Sequence, residues 1–152
     1  MKNFQLSEQD KKIVSLLRAN SRASYKQIAK KVGVSITTVH NTIKRLKKNG
    51  VIKKFSVKMH SSKIGYDLTV VIGLMLKQGY LREVEERLVA HSNVCQVFVV
   101  TGEYDLIVVA KFKNTKALQE FIRDFLQKMT GTERTNTSVV LTTVKERLNP
   151  QF

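Results

Sequence analysis

Residues 33–50 read Gly-Val-Ser-Ile-Thr-Thr-Val-His-Asn-Thr-Ile-Lys-Arg-Leu-Lys-Lys-Asn-Gly. Two glycines bracket the stretch, and each can take the positive φ that follows a helix C-terminus. Ser35 is an N-cap residue in form. Behind it Ile36, Val39, Ile43 and Leu46 recur at i, i+3, i+7 and i+10, the apolar stripe of a helix. The positions off that stripe are Thr37, Thr38, His40, Asn41, Lys44, Arg45, Lys47 and Lys48. All carry donors suited to phosphate oxygens or base edges, and none is acidic.

Working toward the N-terminus, Ser24 and Gln27 form a capping box, and Ile28, Ala29 and Val32 give the helix behind them an apolar face. Ser7 and Asp10 repeat the pattern with Asp in the acceptor place. Ile13, Leu16 and Leu17 follow at helical spacing, and Asn20-Ser21 ends that run. Only Gly33-Val34-Ser35 separates the second and third helices. The small Ala29 permits a close crossing, and Val39 and Ile43 anchor the third helix. This is the spacing of a helix-turn-helix, whose second helix enters a major groove. Lys44, Arg45, Lys47 and Lys48 are expected on phosphates. Thr37, Thr38, His40 and Asn41, with Ser35 at the cap, are expected to read or abut bases. A three-helix bundle with a basic outer face is the simpler alternative.

Charge agrees with the nucleic-acid reading, although a lysine-rich surface that only keeps the chain in solution would carry it equally, and the order of residues above breaks the tie. Residues 1–60 hold 15 Lys/Arg against Glu8 and Asp10, a net of +13. Residues 61–152 hold 12 against 10 acids, a net of +2; together these make the +15 of the chain. No acid occurs between Asp10 and Asp67. A compact cationic domain gains affinity for a duplex by counterion release before any base is read.

Beyond the basic half, Val51–Lys58 alternates apolar and lysine positions roughly as a strand does, and is expected to link the halves. Residues 1–52 are taken as the DNA-binding domain, 53–66 as a strand hinge, and 67–152 as a second domain. In the second domain LTVVIGLMLK is a strand. Leu81, Val84, Leu88 and Val89 mark a helix, VCQVFVVT a second strand, and Gly102-Glu103-Tyr104-Asp105 a turn. LIVVAKF is a third strand. Asn114 or Thr115 caps a helix carrying Leu118, Phe121, Ile122, Phe125 and Met129, which Gly131 ends. SVVLTTV is a fourth strand. The order β-α-β-β-α-β is ferredoxin-like, so the fold class is α+β. Two helices cover one face of such a sheet, yet the strands are apolar on both. The free face is therefore expected to pack against a second copy, giving a homodimer and a pseudo-palindromic duplex target with half-sites about 34 Å apart.

Several classes are excluded or disfavoured. No run of about 18 apolar residues spans a membrane, and the polar N-terminus reads as no secretory signal, which points to a cytoplasmic protein. Cys95 is the single cysteine and, inside VCQVFVV, is expected as a core thiol. No set of Cys and His with metal-ligand spacing occurs. No nucleophile–base pair or phosphate-cradling glycine loop argues for an enzyme.

Leu6, Asp10, Ile13, Leu17, Asn20 and Arg22, the segment GVSITTVHNTIKRLKKNGVI, the turn Gly102-Glu103-Tyr104-Asp105-Leu106, the triplet Thr135-Asn136-Thr137 and the ending Val144-Lys145-Glu146 together resemble the Lrp/AsnC (feast/famine) family of prokaryotic transcription regulators. The resemblance runs from about Leu6 to Arg147. The chain departs from the family at Ile36 and Thr38, where prolines are frequent, which bears on base preference. The resemblance implies a winged helix-turn-helix, a strand hinge and an ACT-like α/β sandwich. It also implies dimers that assemble into tetramers or octamers, no cofactor, and an amino-acid effector near the Gly102–Asp105 turn. A zwitterion needs an acid and N–H or O–H donors in a largely dry cleft. Asp105 suits the ammonium, or caps its own turn. Backbone N–H groups near Gly102 and the hydroxyls of Thr132, Thr135 and Thr137 suit the carboxylate, and Tyr80 and Tyr104 the walls. A low-specificity architectural DNA-binding protein without an effector is the rival.

Overall fold

Three serines start the three N-terminal helices. In a computed structural model, which describes residues 4–147, Ser7 caps α1 (Glu8–Ala19), Ser24 caps α2 (Tyr25–Val32) and Ser35 caps α3 (Ile36–Lys48). Both expected capping boxes form. The Asp10 N–H donates to Ser7 Oγ at 3.1 Å and the Ser7 N–H to Asp10 Oδ2 at 3.0 Å. Ser24 and Gln27 reciprocate at 3.2 and 2.9 Å. Each box satisfies two helix-end donors that would otherwise lack partners. Gly33, at φ 79°, turns the chain between α2 and α3. Ile13, Leu17, Ile28, Ala29, Val39 and Ile43 form the core of this unit. Ile36 departs from the expected stripe: it is 51% exposed, while Thr42 is buried in its place. The first residue of a helix lies at the edge of the packed face, so the apolar spacing alone overextends it.

The chain separates into two compact units, one up to Lys58 and one from Met59. Residues 53–60 form no strand, contrary to the alternation of Val51–Lys58. A strand needs a ladder, and none is offered to this segment within the chain. Phe55, Val57 and Met59 are exposed. A short 3-10 turn, Ser61–Ile64, follows.

The second unit is a four-stranded sheet in the order β2-β3-β1-β4. It comprises β1 (Leu68–Leu76), α4 (Leu81–Ala90), β2 (Val94–Val99), β3 (Leu106–Phe112), α5 (Thr115–Glu120) and β4 (Thr132–Val139). All pairings are antiparallel. Asn114 caps α5, its Oδ1 accepting the Ala117 N–H at 2.9 Å. Past Glu120 the helix widens into a π-helical stretch, Phe121–Leu126, with Gln127 N–H donating to Ile122 O at 2.9 Å. That widening buries both Phe121 and Leu126. Val70, Ile72 and Leu74 of β1, Leu106, Val108, Ala110 and Phe112 of β3, and Val84, Leu88, Leu118, Phe121 and Leu126 of the helical layer share one core. Both helices therefore cover the same face of the sheet, while Val89 of α4 points to solvent.

The fourth strand lies earlier than SVVLTTV suggests. It begins at Thr132 because Leu76 to Val70 of β1 pair with Thr132 to Val139. The Val140 N–H donates to Thr69 O at 2.9 Å, and β1 begins one residue before that, at Leu68. The threonines of β4 are β-branched and suit an edge strand despite their polarity. The apolar residues after them gain nothing: Leu141 and Val144 are each 94% exposed. Cys95 also differs from expectation. A bulge between Val94 and Gln96 on the edge strand β2 leaves its thiol exposed.

The face away from the helices carries Val71, Met75, Ile107 and Val109, half-buried, and Phe98, 49% exposed. Phe98 pairs with Ile107, so an apolar strip runs across β2, β3 and β1.

Candidate nucleic-acid interface and effector site

The cap of α3 is built from two hydroxyls. Ser35 Oγ accepts the Thr38 N–H at 3.0 Å and lies 2.8 Å from Thr38 Oγ1. Ser35 and Thr38 are therefore occupied in holding the helix start. Thr37, Asn41, Lys44, Lys47 and Lys48 are exposed, as is His40. Val39, Thr42, Ile43 and Leu46 fix the opposite face in the core. Lys44 and Lys48 enter no ion pair among the described residues. Lys47 Nζ lies 6.0 Å from the Phe55 ring. His40 Nδ1 is 3.4 Å from Asn41 Oδ1, and its ring centroid is 5.9 Å from that of Tyr25 in the first turn of α2. The exposed edge thus joins Tyr25, His40 and Asn41 to the apolar Ile36, a side chain suited to a thymine methyl. Helical periodicity assigns apolar residues to the core, which is why Ile36 and Tyr25 do not stand out in the sequence.

Arg45 stands apart from the other cations. Its guanidinium donates to Asp10 Oδ1 at 2.5 Å, and Asp10 is 1% exposed. The same carboxylate accepts the Ser7 N–H through Oδ2. Phe4 stacks 5.5 Å from the guanidinium carbon. Arg45 therefore ties α3 to the N-cap of α1, an arrangement that a pairing 35 positions apart does not announce in sequence.

In the second unit the expected effector residues divide between the two faces of the sheet. Gly73 of β1 pairs with Asn136, and the Tyr104 ring lies over Gly73. A Cβ there would stand 2.7 Å from Tyr104 Cδ1. Asn136 Nδ2 donates to the Tyr104 hydroxyl at 3.0 Å. These three lie on the face free of helices. Thr132, Thr135 and Thr137 pair with Leu76, Leu74 and Ile72, which places them on the helix-covered side. Thr132 Oγ1 is buried there with no partner among the described residues, and Tyr80 packs against Gly131, whose φ of 90° and missing Cβ admit the ring. Asp105 sits at the sheet end. Its Oδ2 accepts the Leu76 N–H at 2.7 Å and its own N–H donates to Leu74 O at 2.9 Å. It thus serves as a clasp between β3 and β1, with Oδ1 still able to accept. Gly102, at φ 116°, makes the turn that delivers Tyr104 and Asp105. Asn136 and Gly73 are additions to the expected residues. The period-two rule separates Asn136 from its flanking threonines once the strand is placed over it.

Among the described residues no group of three or more His, Cys, Asp or Glu is placed to hold a metal ion, and no helix is long and apolar enough to cross a membrane.

Comparison with known proteins gives the same two parts. Residues 6–53 match the family model of the winged helix-turn-helix DNA-binding domain, and residues 69–150 that of the Lrp/AsnC ligand binding domain. An HTH-type transcriptional regulator of Pyrococcus abyssi is 45% identical over 147 residues, covering 95% of this chain and 99% of the relative. The HTH-type transcriptional regulator FL11 of Pyrococcus furiosus is 35% identical over 141 residues, 93% of each chain. Among solved structures, E. coli AsnC superposes with a TM-score of 0.90 at 26% identity, covering 95% of this chain and 97% of that one. The L-Met complex of the Neisseria meningitidis regulator NMB0573 superposes at 0.89 and 23% identity over 95% of each chain. With both parts matched and a close relative aligned almost end to end, the chain belongs to the Lrp/AsnC family of HTH-type transcriptional regulators.

Proposed function

We propose that this regulator binds specific duplex sequences as a homodimer and answers to an amino acid held at the Asp105 end of its sheet. The main support is α3. One face of it is locked in the core, and the other presents Thr37, His40, Asn41, Lys44, Lys47 and Lys48 to solvent with no acid among them. Lys44, Lys47 and Lys48 neutralise phosphates; Asn41, His40, Thr37 and Ile36 meet base edges; Ser35 and Thr38 cap the helix; Arg45 braces it. The apolar strip through Phe98, Ile107, Val109 and Val71 supports pairing of two sheets face to face. A dimer presents two α3 helices, matching a pseudo-palindromic target, and further assembly into tetramers or octamers is the family pattern. Residues 1–52 act as the DNA-binding domain, 53–66 as hinge and 67–152 as effector and dimerisation domain, in the cytoplasm and by binding rather than catalysis.

For the effector, Asp105 Oδ1 takes the ammonium, the turn N–H groups at Gly102 take the carboxylate, and Tyr104 forms a wall. The L-Met complex of the Neisseria protein supports the ligand class. Tyr80, Thr132, Thr135 and Thr137 lie on the helix-covered side and so support this end of the sheet from behind, opposite the wall that Tyr104 forms.

The test is competition binding with selected and random duplexes across a salt series. With about ten phosphates neutralised per dimer, log K falls against log salt at a slope near −9. A specificity ratio near unity would instead establish the architectural alternative.

A further inference from the structure

The two ends of the sheet carry opposite chemistry. From Asp105 to Lys111 along β3 is about 20 Å at strand rise. Around Lys111 a cleft of about 670 Å³ opens between the 3-10 turn, the sheet and the C-terminal segment. Such a volume is in the range of small-molecule sites.

Met59, Ile64 and Tyr66 supply its apolar lining, with Val109 at the margin of the strip that paired sheets would cover, and Lys111, Lys145 and Arg147 supply its cations. Glu146 is the one acid among the lining residues, so these four groups sum to +2. Glu146 is already engaged, lying 3.6 Å from Lys111 Nζ. Lys111 Nζ also donates to Ser61 Oγ at 2.7 Å, which draws the 3-10 turn onto the strand. Lys145 and Arg147 form no ion pair among the described residues. An anion is thus attracted, an apolar body is accommodated, and an ammonium finds no free acid.

We infer that this cleft binds a small carboxylate with an apolar body and no ammonium group, such as a branched 2-oxo acid, separately from the zwitterion site at Asp105. A 2-oxo acid differs from its amino acid at one carbon, where a ketone replaces the ammonium. The two ends of one sheet thereby sort two closely related metabolites by charge. Because the cleft is built on Ser61 and the Ser61–Ile64 turn, which directly follow the connecting segment, occupancy fixes the start of the sheet unit to the strand. The two sites share no residue, so the contacts of either can be substituted without removing those of the other.

The test is calorimetric titration of the full-length protein with 4-methyl-2-oxopentanoate, using leucine and acetate as controls. Saturable binding is expected with a Kd near or below about 1 mM. The exposed double variant Lys145→Ala, Arg147→Ala should weaken it by at least about tenfold. Asp105→Asn should leave it unchanged, and acetate should bind more weakly than the oxo acid. Cys95 lines the same cleft, so its reaction with a thiol reagent should slow as the oxo acid saturates. Absence of saturable binding at about ten times that concentration overturns the inference. So does undiminished binding in the double variant, loss of binding in Asp105→Asn, or a double variant whose only change is in sedimentation. The last outcome would make the cleft an interface between copies.

Discussion

Arg45 and Asp10 are bound across 35 positions of sequence, at 2.5 Å, in an otherwise cation-rich domain. The carboxylate is 1% exposed and also completes the Ser7 capping box. The position of α3 and the start of α1 therefore depend on one group.

Arg45→Ala leaves a buried carboxylate short of its cation. A loss of about 1–3 kcal/mol is expected, because the guanidinium is half exposed. Asp10→Ala also removes the acceptor of the Ser7 N–H, the side-chain half of the capping box, while the Asp10 N–H still donates to Ser7 Oγ. It should cost more, with about 0.5–1.5 kcal/mol from that bond alone. Urea denaturation followed by helical circular dichroism measures both. If Arg45→Ala retains full stability and loses only DNA affinity, the residue binds phosphate and is not a brace.

Variants on the free edge of α3 should behave in two ways. Lys44→Ala or Lys48→Ala should weaken all sequences alike and reduce the salt slope by about 0.9 for each phosphate no longer neutralised. Asn41→Ala or Ile36→Ala should relax discrimination at one position per half-site, by about 1–3 kcal/mol. Selection from a randomised duplex pool separates the two classes.

Local signals are the ones this sequence conveys well. Caps and glycine stops are local, so Ser7, Ser24, Ser35 and Gly33 place the three helices correctly. Apolar content does not fix position. It draws the fourth strand toward Val139–Val144, when the length of β1 and the fit of β-branched threonines set it at Thr132–Val139. It hides Ile36, which looks like core and lies outside it. It assigns Cys95 to the interior, because a one-residue bulge leaves no trace in composition. Phe55 and Val57 alternate like a strand but have no ladder within the chain. Asp105 is legible as a turn residue, yet its bond to Leu76, like that of Arg45 to Asp10, depends on how distant segments meet.

Gly73→Ala places a methyl where the Tyr104 ring now lies, 2.7 Å from Cδ1. The ring must swing away and give up the Asn136 bond. Secondary structure should persist while the thermal shift produced by the best amino-acid ligand falls. At about 100 times Kd that shift corresponds to roughly 2.7 kcal/mol in the parent protein. A full shift in the variant would remove Tyr104 from the site.

His91 makes the second unit sensitive to mild acid. Its ring meets Phe121 edge-on and Phe125 at a tilt, with centroids 4.7 and 4.5 Å apart, and its Nδ1 accepts the Asn93 N–H at 3.2 Å. Burial lowers its pKa below the ordinary 6.5. The unfolded chain therefore takes up the proton first. The stabilisation is present above pH 6.5 and is lost as pH falls through the lower folded value. Denaturant midpoints between neutral pH and about pH 5 should decline, and His91→Asn should flatten the decline. A slope unchanged by the substitution would assign it to other groups.

Residues 53–60 also open the chain to cleavage. Lys53, Lys54 and Lys58 lie on backbone that enters neither helix nor strand, the conformation a serine protease's cleft accepts. Brief trypsin treatment should nick the chain here first and release two fragments of unequal size. A duplex or a pairing subunit that engages this stretch would then reveal itself as a footprint against digestion.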